Sequence, residues 1–439
     1  MANLKEGYIR GFGFPRKPIC DTLLQTYSKG ETEIHMAKLS KSRLTRLNEY
    51  LSDYVPDKLP GCSLLINQSG EEVFYTQLGY ADLETKKELQ RDTIFRIFSM
   101  TKAPVCIGAM ILFEKGLIHL DDPVEKFIPE WKNLRVYVSG TRDNMITSEP
   151  ERAMLVRDLM THTSGLTYGF SDTTPVNELY DEKLWSNSAN SAMNSQNAVD
   201  TLATIPLLYS PGRFWNYSVA IDVLGIIIER VTEQSLATFL ESSLFAPLGM
   251  LDTGFKVEAK DRNRFASCYM FREDETGFDL ADAAEGSKYL SEPTFYSGGG
   301  GAVSTIDDYM KFLSLISGNG ASGSVRILGP RTVDLFLSNQ FEDGVDIEVY
   351  QKTDTGFPFS SGIGHCLGGA VNIDPLKALS PVSARGEYFW FGAAFTLFWY
   401  DPEEDVSVVF MSQMLNYFRN YDGINIMRDI RTIIGTSLT

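Results

Sequence analysis

Ser99-Met100-Thr101-Lys102 puts a hydroxyl and an amine three residues apart, where a strand-and-turn pattern gives way to a helical one. Three residues is nearly one helical turn, so the two side chains share a face. A serine hydroxyl is a weak nucleophile until a neighbouring group takes its proton, and a lysine held among other groups can take it. S-x-x-K is a serine acyl-enzyme signature. It also arises by chance in a chain of 439 residues, so its weight comes from its surroundings.

Just upstream, Cys62–Ile66 and Glu72–Thr76 flank Asn67-Gln68-Ser69-Gly70, which predicts a hairpin. Just downstream, Val105 to Leu117 has helical periodicity and a stop at Gly116. Pro104 cannot donate to the carbonyl of Met100, so an irregular first turn is expected beneath Ser99. Before the hairpin, Leu44, Leu47 and Leu51 predict an amphipathic helix over 40–54, capped by Ser40 or Ser42. Residues 1–40, broken by Gly11-Phe12-Gly13-Phe14-Pro15, read as an N-terminal arm.

Beyond the motif, the polar stretches 139–152 and 171–198 read as surface excursions. Helices are expected over Val219–Thr232, continuing through Leu236–Phe245, and over Ile306–Ile316 after the turn Ser297-Gly298-Gly299-Gly300-Gly301. Phe389–Tyr400 and Val406–Met411 flank Asp401-Pro402-Glu403-Glu404-Asp405 as a hairpin, and Gly423–Ile434 forms a last helix. Strands at both ends with helices between predict an α+β fold, one sheet drawn from both chain ends with a helical region inserted into it. The main body is then 41–439, with an α/β part of about 41–135 and 295–439 and a helical part of about 136–294. The junction of the two is the natural place for a ligand cleft.

Composition narrows the function. Forty basic against 57 acidic residues give a net charge of −17, which reads against nucleic acid or an anionic membrane as partner. The N-terminus has no continuous apolar run, and Glu114-Lys115 and Glu229-Arg230 break the longest apolar stretches, so neither a secretory signal nor a membrane span is expected. Five scattered cysteines without a C-x-x-C, and four dispersed histidines, favour a reduced, cytoplasmic protein with no metal and no cofactor. A small molecule is the expected partner, and oligomeric state stays open.

Three further motifs follow Ser99-x-x-Lys102 in order: Leu159-Met160-Thr161-His162-Thr163-Ser164-Gly165-Leu166; Tyr209-x-Pro211-Gly212 with Trp215-Asn216-Tyr217-Ser218; and Trp390-Phe391-Gly392. His162 sits among residues suited to a helix end and turn, and reads as structural; His365, in a glycine-rich strand pattern, is left unassigned. No G-x-S-x-G is present, and Ser297–Gly301 lacks the Lys-Ser/Thr of a P-loop.

From about Leu44 to the C-terminus the chain resembles the serine hydrolases related to class C β-lactamases and penicillin-binding proteins, and more narrowly the family VIII carboxylesterases. The resemblance implies a β-lactamase-like fold with an antiparallel sheet. It implies Ser99 as the nucleophile that forms an acyl-enzyme, Lys102 as its immediate base or the group that keeps the base ionised, and Tyr217, the tyrosine of the family's Y-x-N motif, as second base and proton relay. The backbone N–H groups of Ser99 and Ala393 are the implied oxyanion hole.

Two departures choose the branch. Where β-lactamases and peptidases carry K-T-G, this chain has Trp390, Phe391 and Gly392; where Y-x-N has its asparagine, it has Val219. Both changes replace polar recognition with apolar surface, and these four residues are the expected pocket. A serine carboxylesterase acting on small or medium esters is therefore expected. A D-amino-acid amidase or peptidase, a β-lactamase, and an acyltransferase with an alcohol acceptor are the alternatives.

Overall fold

The computed structural model describes residues 36–170, 174–185, 193–272, 274, 277–352, 361–419 and 421–439. The expected arm lies outside them apart from its last residues, which join the body: Lys38 and Thr439 exchange backbone hydrogen bonds, and Leu39 bridges Leu438.

The strand patterns near both chain ends assemble into one sheet. Its strands are β1 (Gly61–Gln68), β2 (Glu71–Asp82), β3 (Lys87–Glu88), β4 (Ile363–Cys366), β5 (Gly369–Asn372), β6 (Tyr388–Gly392), β7 (Thr396–Asp401) and β8 (Val406–Ser412). Their spatial order is β4-β5-β6-β7-β8-β1-β2-β3, with every neighbouring pair antiparallel. The first and last segments meet at the centre, where Leu64 pairs with Phe410 and Ile66 with Val408. β8 is buried along its whole length, which explains its continuous apolar run in place of an alternating one.

The hairpin expected at 62–76 is β1–β2, turning on Ser69 and Gly70 with φ of 52° and 79°. Phe389–Tyr400 differs from expectation. It is two strands, β6 and β7, because the chain reverses at Phe395, which takes φ 60°. The Asp401–Asp405 turn then joins β7 to β8 as predicted.

α1 (Lys102–Glu114) packs against α2 (Ala220–Thr232), while the sheet carries α3 (Ile306–Ser317) and α4 (Tyr421–Gly435) on opposite faces. Successive residues of a strand point to opposite faces. Phe398 accordingly meets Tyr309 and Phe312 of α3, while Trp399 lies under the Arg431 guanidinium of α4 at 4.4 Å. Arg431 forms a buried ion pair with Glu387, so the closing helix is tied to the sheet by charge as well as by apolar contact.

The helix expected over 40–54 is two short helices, Lys41–Leu44 and Arg46–Ser52, and Ser40 makes no side-chain cap. The excursion at 139–152 contains an exposed hairpin, Val136–Thr141 with Asn144–Ser148. That at 171–198 contributes helices Pro175–Tyr180 and Ser195–Ala203, with buried Val176, Tyr180 and Ala198; part of it lies outside the described residues. Among the described residues no helix is long and apolar enough to cross a membrane.

Phe398 joins two strands and α3 through aromatic contacts with Tyr309, Phe312 and Tyr388 at 5.1–6.4 Å. Phe398→Ala is expected to lower unfolding free energy by about 3–5 kcal/mol, read from urea denaturation midpoints at an unchanged slope.

Candidate active site

The chain reaches Ser99 from the short pairing of Phe95–Arg96 with Val303–Ser304. Phe98 is driven to φ 41°, an uncommon conformation for an aromatic residue. A 3-10 turn over Phe98–Thr101 follows, and α1 begins at Lys102. This is the irregular first turn that Pro104 demands. Tyr309 donates to the Met100 carbonyl at 2.8 Å, and the Ala302 N–H donates to Thr101 Oγ1 at 3.1 Å. β6 ends hard against this loop. A Cβ on Gly392 would collide with the Ile97 carbonyl, so only glycine lets the strand approach there.

Ser99, Lys102 and Tyr217 converge. Tyr217 Oη donates to Ser99 Oγ at 2.7 Å, and Lys102 Nζ donates to the same oxygen at 3.0 Å. Lys102 is 1% exposed. Nζ also donates to the Gly299 carbonyl at 2.5 Å and to Tyr168 Oη at 3.2 Å, so three oxygens match an ammonium's three N–H groups. Its nitrogen lies 4.7 Å from the Tyr217 ring centroid, a cation–π contact.

Behind Tyr217 stands a wall of buried rings. His162 lies 4.8 Å from Tyr217 between centroids, stacks parallel to Trp390 at 6.4 Å and meets His365 edge-on at 5.5 Å. His162 Nδ1 is 3.2 Å from Ser218 Oγ, and its carbonyl accepts from the Asn216 N–H at 2.8 Å. It thus fixes the Asn216–Ser218 segment that carries Tyr217, which agrees with its structural reading. His365 shares a hydrogen bond with the Cys366 carbonyl at 2.7 Å. Burial lowers the pKa of both imidazoles, His365 to about 4, and the neighbouring His365 and Lys102 push His162 the same way.

Ser99, Tyr217, Val219 and Ala393 border a cavity of about 770 Å³. Trp390, Phe391 and Gly392 do not line it, which corrects their assignment to the pocket. Trp390 is buried in the wall behind Tyr217, Phe391 packs on Phe418 at 4.6 Å, and Gly392 is covered by the Ile97 backbone. A large aromatic gains more from full burial than from a place on an open wall. The cavity instead takes apolar surface from the inserted region: Leu184, Met193, Leu202, Val223 and Ile226. Asp222, Lys288 and Glu292 stand among its lining as ionisable groups.

Sequence reasoning missed Tyr168 and Asp222. Tyr168 carries no local signal and reaches Lys102 only through the fold. Asp222 does carry one, a carboxylate inside the buried stretch Ala220–Ile228 of α2. Among the described residues no group of three or more His, Cys, Asp and Glu side chains could hold a metal ion.

A buried S-x-x-K helix start facing a tyrosine, on an antiparallel sheet drawn from both chain ends, defines a β-lactamase-like protein. The Beta-lactamase family model matches residues 47–426, and the chain belongs to that family, within the serine hydrolase superfamily of the β-lactamases. It is 33% identical over 357 residues to Protein Rv1367c of Mycobacterium tuberculosis, covering 81% of this chain and 86% of that one. It is 30% identical over 276 residues to Esterase EstB of Burkholderia gladioli, covering 60% of this chain and 67% of the esterase. Among solved structures it superimposes on EstCE1, described as a hydrolase with promiscuous acyltransferase activity, with a TM-score of 0.74 at 25% identity, covering 90% of this chain and 99% of that one.

The lowered pKa of His365 makes stability depend on pH. Its folded value, about 4, lies below the ordinary 6.5, so the unfolded chain binds more protons between these values and stability falls as pH drops through that window. At pH 5 the loss from His365 alone is on the order of 2 kcal/mol relative to pH 7. Urea midpoints at the two pH values check it, and His365→Gln is expected to shrink the difference by that amount, leaving the part due to His162.

Proposed function

We propose that this protein is a serine carboxylesterase that cleaves esters with an apolar part through an acyl-enzyme on Ser99. The observation that carries the reading is the Ser99 hydroxyl bordering a largely apolar cavity, with Tyr217 Oη and Lys102 Nζ at 2.7 and 3.0 Å from its oxygen. Those are the two atoms within reach of the proton that Ser99 must lose. Abstraction requires the accepting group to be a Tyr217 phenolate or a neutral Lys102 amine.

As Ser99 Oγ bonds to the carbonyl carbon, its proton passes to one of them. The carbonyl oxygen takes up negative charge, and the N–H groups of Ser99 and Ala393 are the donors proposed to receive it; losing one such donor typically costs about 2.7–4 kcal/mol of barrier. The C–O bond to the alcohol then breaks, and Tyr217 returns the proton to the leaving alkoxide. Water, deprotonated by the same group, cleaves the acyl-enzyme and restores Ser99.

The branch is supported by the cavity's chemistry. Val219 faces it where an amide-recognising asparagine stands in β-lactamases, which weakens the lactamase and D-amino-acid amidase readings. The similarity to EstB, named an esterase, and to EstCE1 supports ester substrates. EstCE1's acyltransferase activity favours a second reading, acyl transfer to an alcohol. The cavity volume supports it too, since about 770 Å³ has room for an acyl group and an acceptor together.

Initial rates on p-nitrophenyl butyrate, for the wild type beside Ser99→Ala, test the reading; turnover by the wild type and a loss of at least about 1,000-fold in the variant are expected. Equal rates would remove Ser99 as the nucleophile. Adding 1-butanol separates the two outcomes, since butyl butyrate forms only if the alcohol competes with water. Leu202 contributes to the cavity lining from helix Ser195–Ala203. Leu202→Trp is expected to cut kcat/KM on p-nitrophenyl octanoate roughly tenfold or more while sparing the acetate.

A further inference from the structure

The run Ser297-Gly298-Gly299-Gly300-Gly301 has so far been only a turn. It passes over the start of α2 at a distance that no other residue type allows. A Cβ on Gly298 would strike the Ile221 carbonyl, and one on Gly299 would strike the Asp222 carboxylate. What fills that space is a short relay of hydrogen bonds. Asp222 Oδ1 accepts from Ser297 Oγ at 2.5 Å and from the Gly299 N–H at 3.0 Å, and the Gly299 carbonyl accepts from Lys102 Nζ at 2.5 Å.

Asp222 is 7% exposed, and its Oδ2 makes no hydrogen bond among the described residues. Leaving a carboxylate oxygen buried and unpaired costs stability. A helix start that needed only an acidic residue in its first turn would be served equally by an exposed one. The neighbouring position in the Y-x-N frame is Val219, which offers Lys102 no hydrogen bond. The lysine's shortest oxygen contact is with a backbone carbonyl, that of Gly299, whose N–H is held by Asp222.

We infer that Asp222 is a positioning residue for the acylation step, holding the Gly299 carbonyl against Lys102 so that the ammonium and amine forms both stay directed at Ser99. Asp222 acts through Gly299 and does not touch the reacting atoms. The inference rests on Ser99 acting as the nucleophile. It adds that the glycine run is part of the base's support, and it accounts for a buried acid that ester chemistry alone does not use.

The test compares wild type, Asp222→Ala and Asp222→Asn in two assays: steady-state kinetics on p-nitrophenyl butyrate, and the rate of covalent labelling by a fluorophosphonate probe, which needs only an activated Ser99. Asparagine keeps an acceptor oxygen for the Gly299 N–H, whereas alanine keeps none. Asp222→Ala is expected to lose at least 30-fold in kcat with KM within threefold, and to label correspondingly more slowly. Asp222→Asn should recover most of that loss. Equal labelling rates for wild type and Asp222→Ala would overturn the inference while leaving the nucleophile intact, as would a loss confined to KM or an asparagine variant as impaired as alanine. A wild type that the probe does not label at Ser99 would overturn the nucleophile reading and this inference together. Should Asp222→Ala not fold, Ser297→Ala and Gly299→Ala carry the comparison. The glycine variant is expected to reproduce the kcat loss and the slow labelling, and the serine variant, which leaves the Gly299 N–H bond in place, to lose less than fivefold. A Gly299→Ala protein labelled at the wild-type rate would again overturn the inference.

Discussion

A lysine side chain with almost no exposure is the constraint around which this molecule is arranged. An amine that carries charge for any part of a catalytic cycle cannot sit in an apolar interior without oxygen partners, because desolvation penalises the charged form heavily. Lys102 lies at the start of a helix whose next turns are wholly apolar and buried, so its own helix offers nothing. Besides Ser99, one turn away, its partners come from two distant parts of the chain: Tyr168 from the inserted region, and Gly299 from the turn before α3. Satisfying one side chain thus brings the sheet-bearing part and the insertion together at Ser99.

The same requirement explains several local features that are unfavourable alone. Phe98 adopts a left-handed conformation, β6 must end in a glycine against the Ile97 carbonyl, and Gly298 and Gly299 let the backbone lie hard against the start of α2. Each removes bulk or bends the backbone so that a main-chain atom comes closer to Ser99 or Lys102. Strain and glycine concentrate where backbone atoms approach Ser99 and Lys102, and the surrounding sheet, paired without a break from β4 to β3, holds them in place.

Much of this was legible in the sequence. Ser99, Lys102 and Tyr217 are carried by motifs, and the central strands announce themselves by continuous apolar runs. The parts that escaped have physical reasons. The β6–β7 reversal runs through Ala393-Ala394-Phe395, and the one glycine beside it, Gly392, sits at the paired end of β6, so two strands read as one. Trp390 read as a pocket wall because its strand lies beside the nucleophile, yet its ring is drawn into the buried stack with His162 and His365. The true cavity wall comes from Leu184, Met193 and Leu202, in and around segments whose polar composition suggested only surface. A few apolar residues in a polar stretch fold inward when the neighbouring helix offers an apolar face, and periodicity over so short a span does not reveal it.

The distribution of polarity around Ser99 bears on which acceptor completes the reaction. Oxygen and nitrogen atoms crowd the side of Ser99 that faces Lys102, while the cavity lining as a whole is largely apolar. Behind Tyr217 the two histidines are held neutral at ordinary pH by burial, so the wall adds no cation and keeps the local dielectric low. Substrate binding in such a site is driven by apolar area, and discrimination comes from shape more than from hydrogen bonds. An acyl-enzyme facing this cavity meets acceptors in proportion to how readily they enter an apolar space. Water is abundant but gains nothing from the aliphatic walls, whereas an alcohol with a hydrocarbon tail gains contact along its length. On the proposed reading, an alcohol that fills the cavity competes with water at the acyl carbon, and hydrolysis and transfer are two outcomes of one site, divided by what occupies the space beside Ser99.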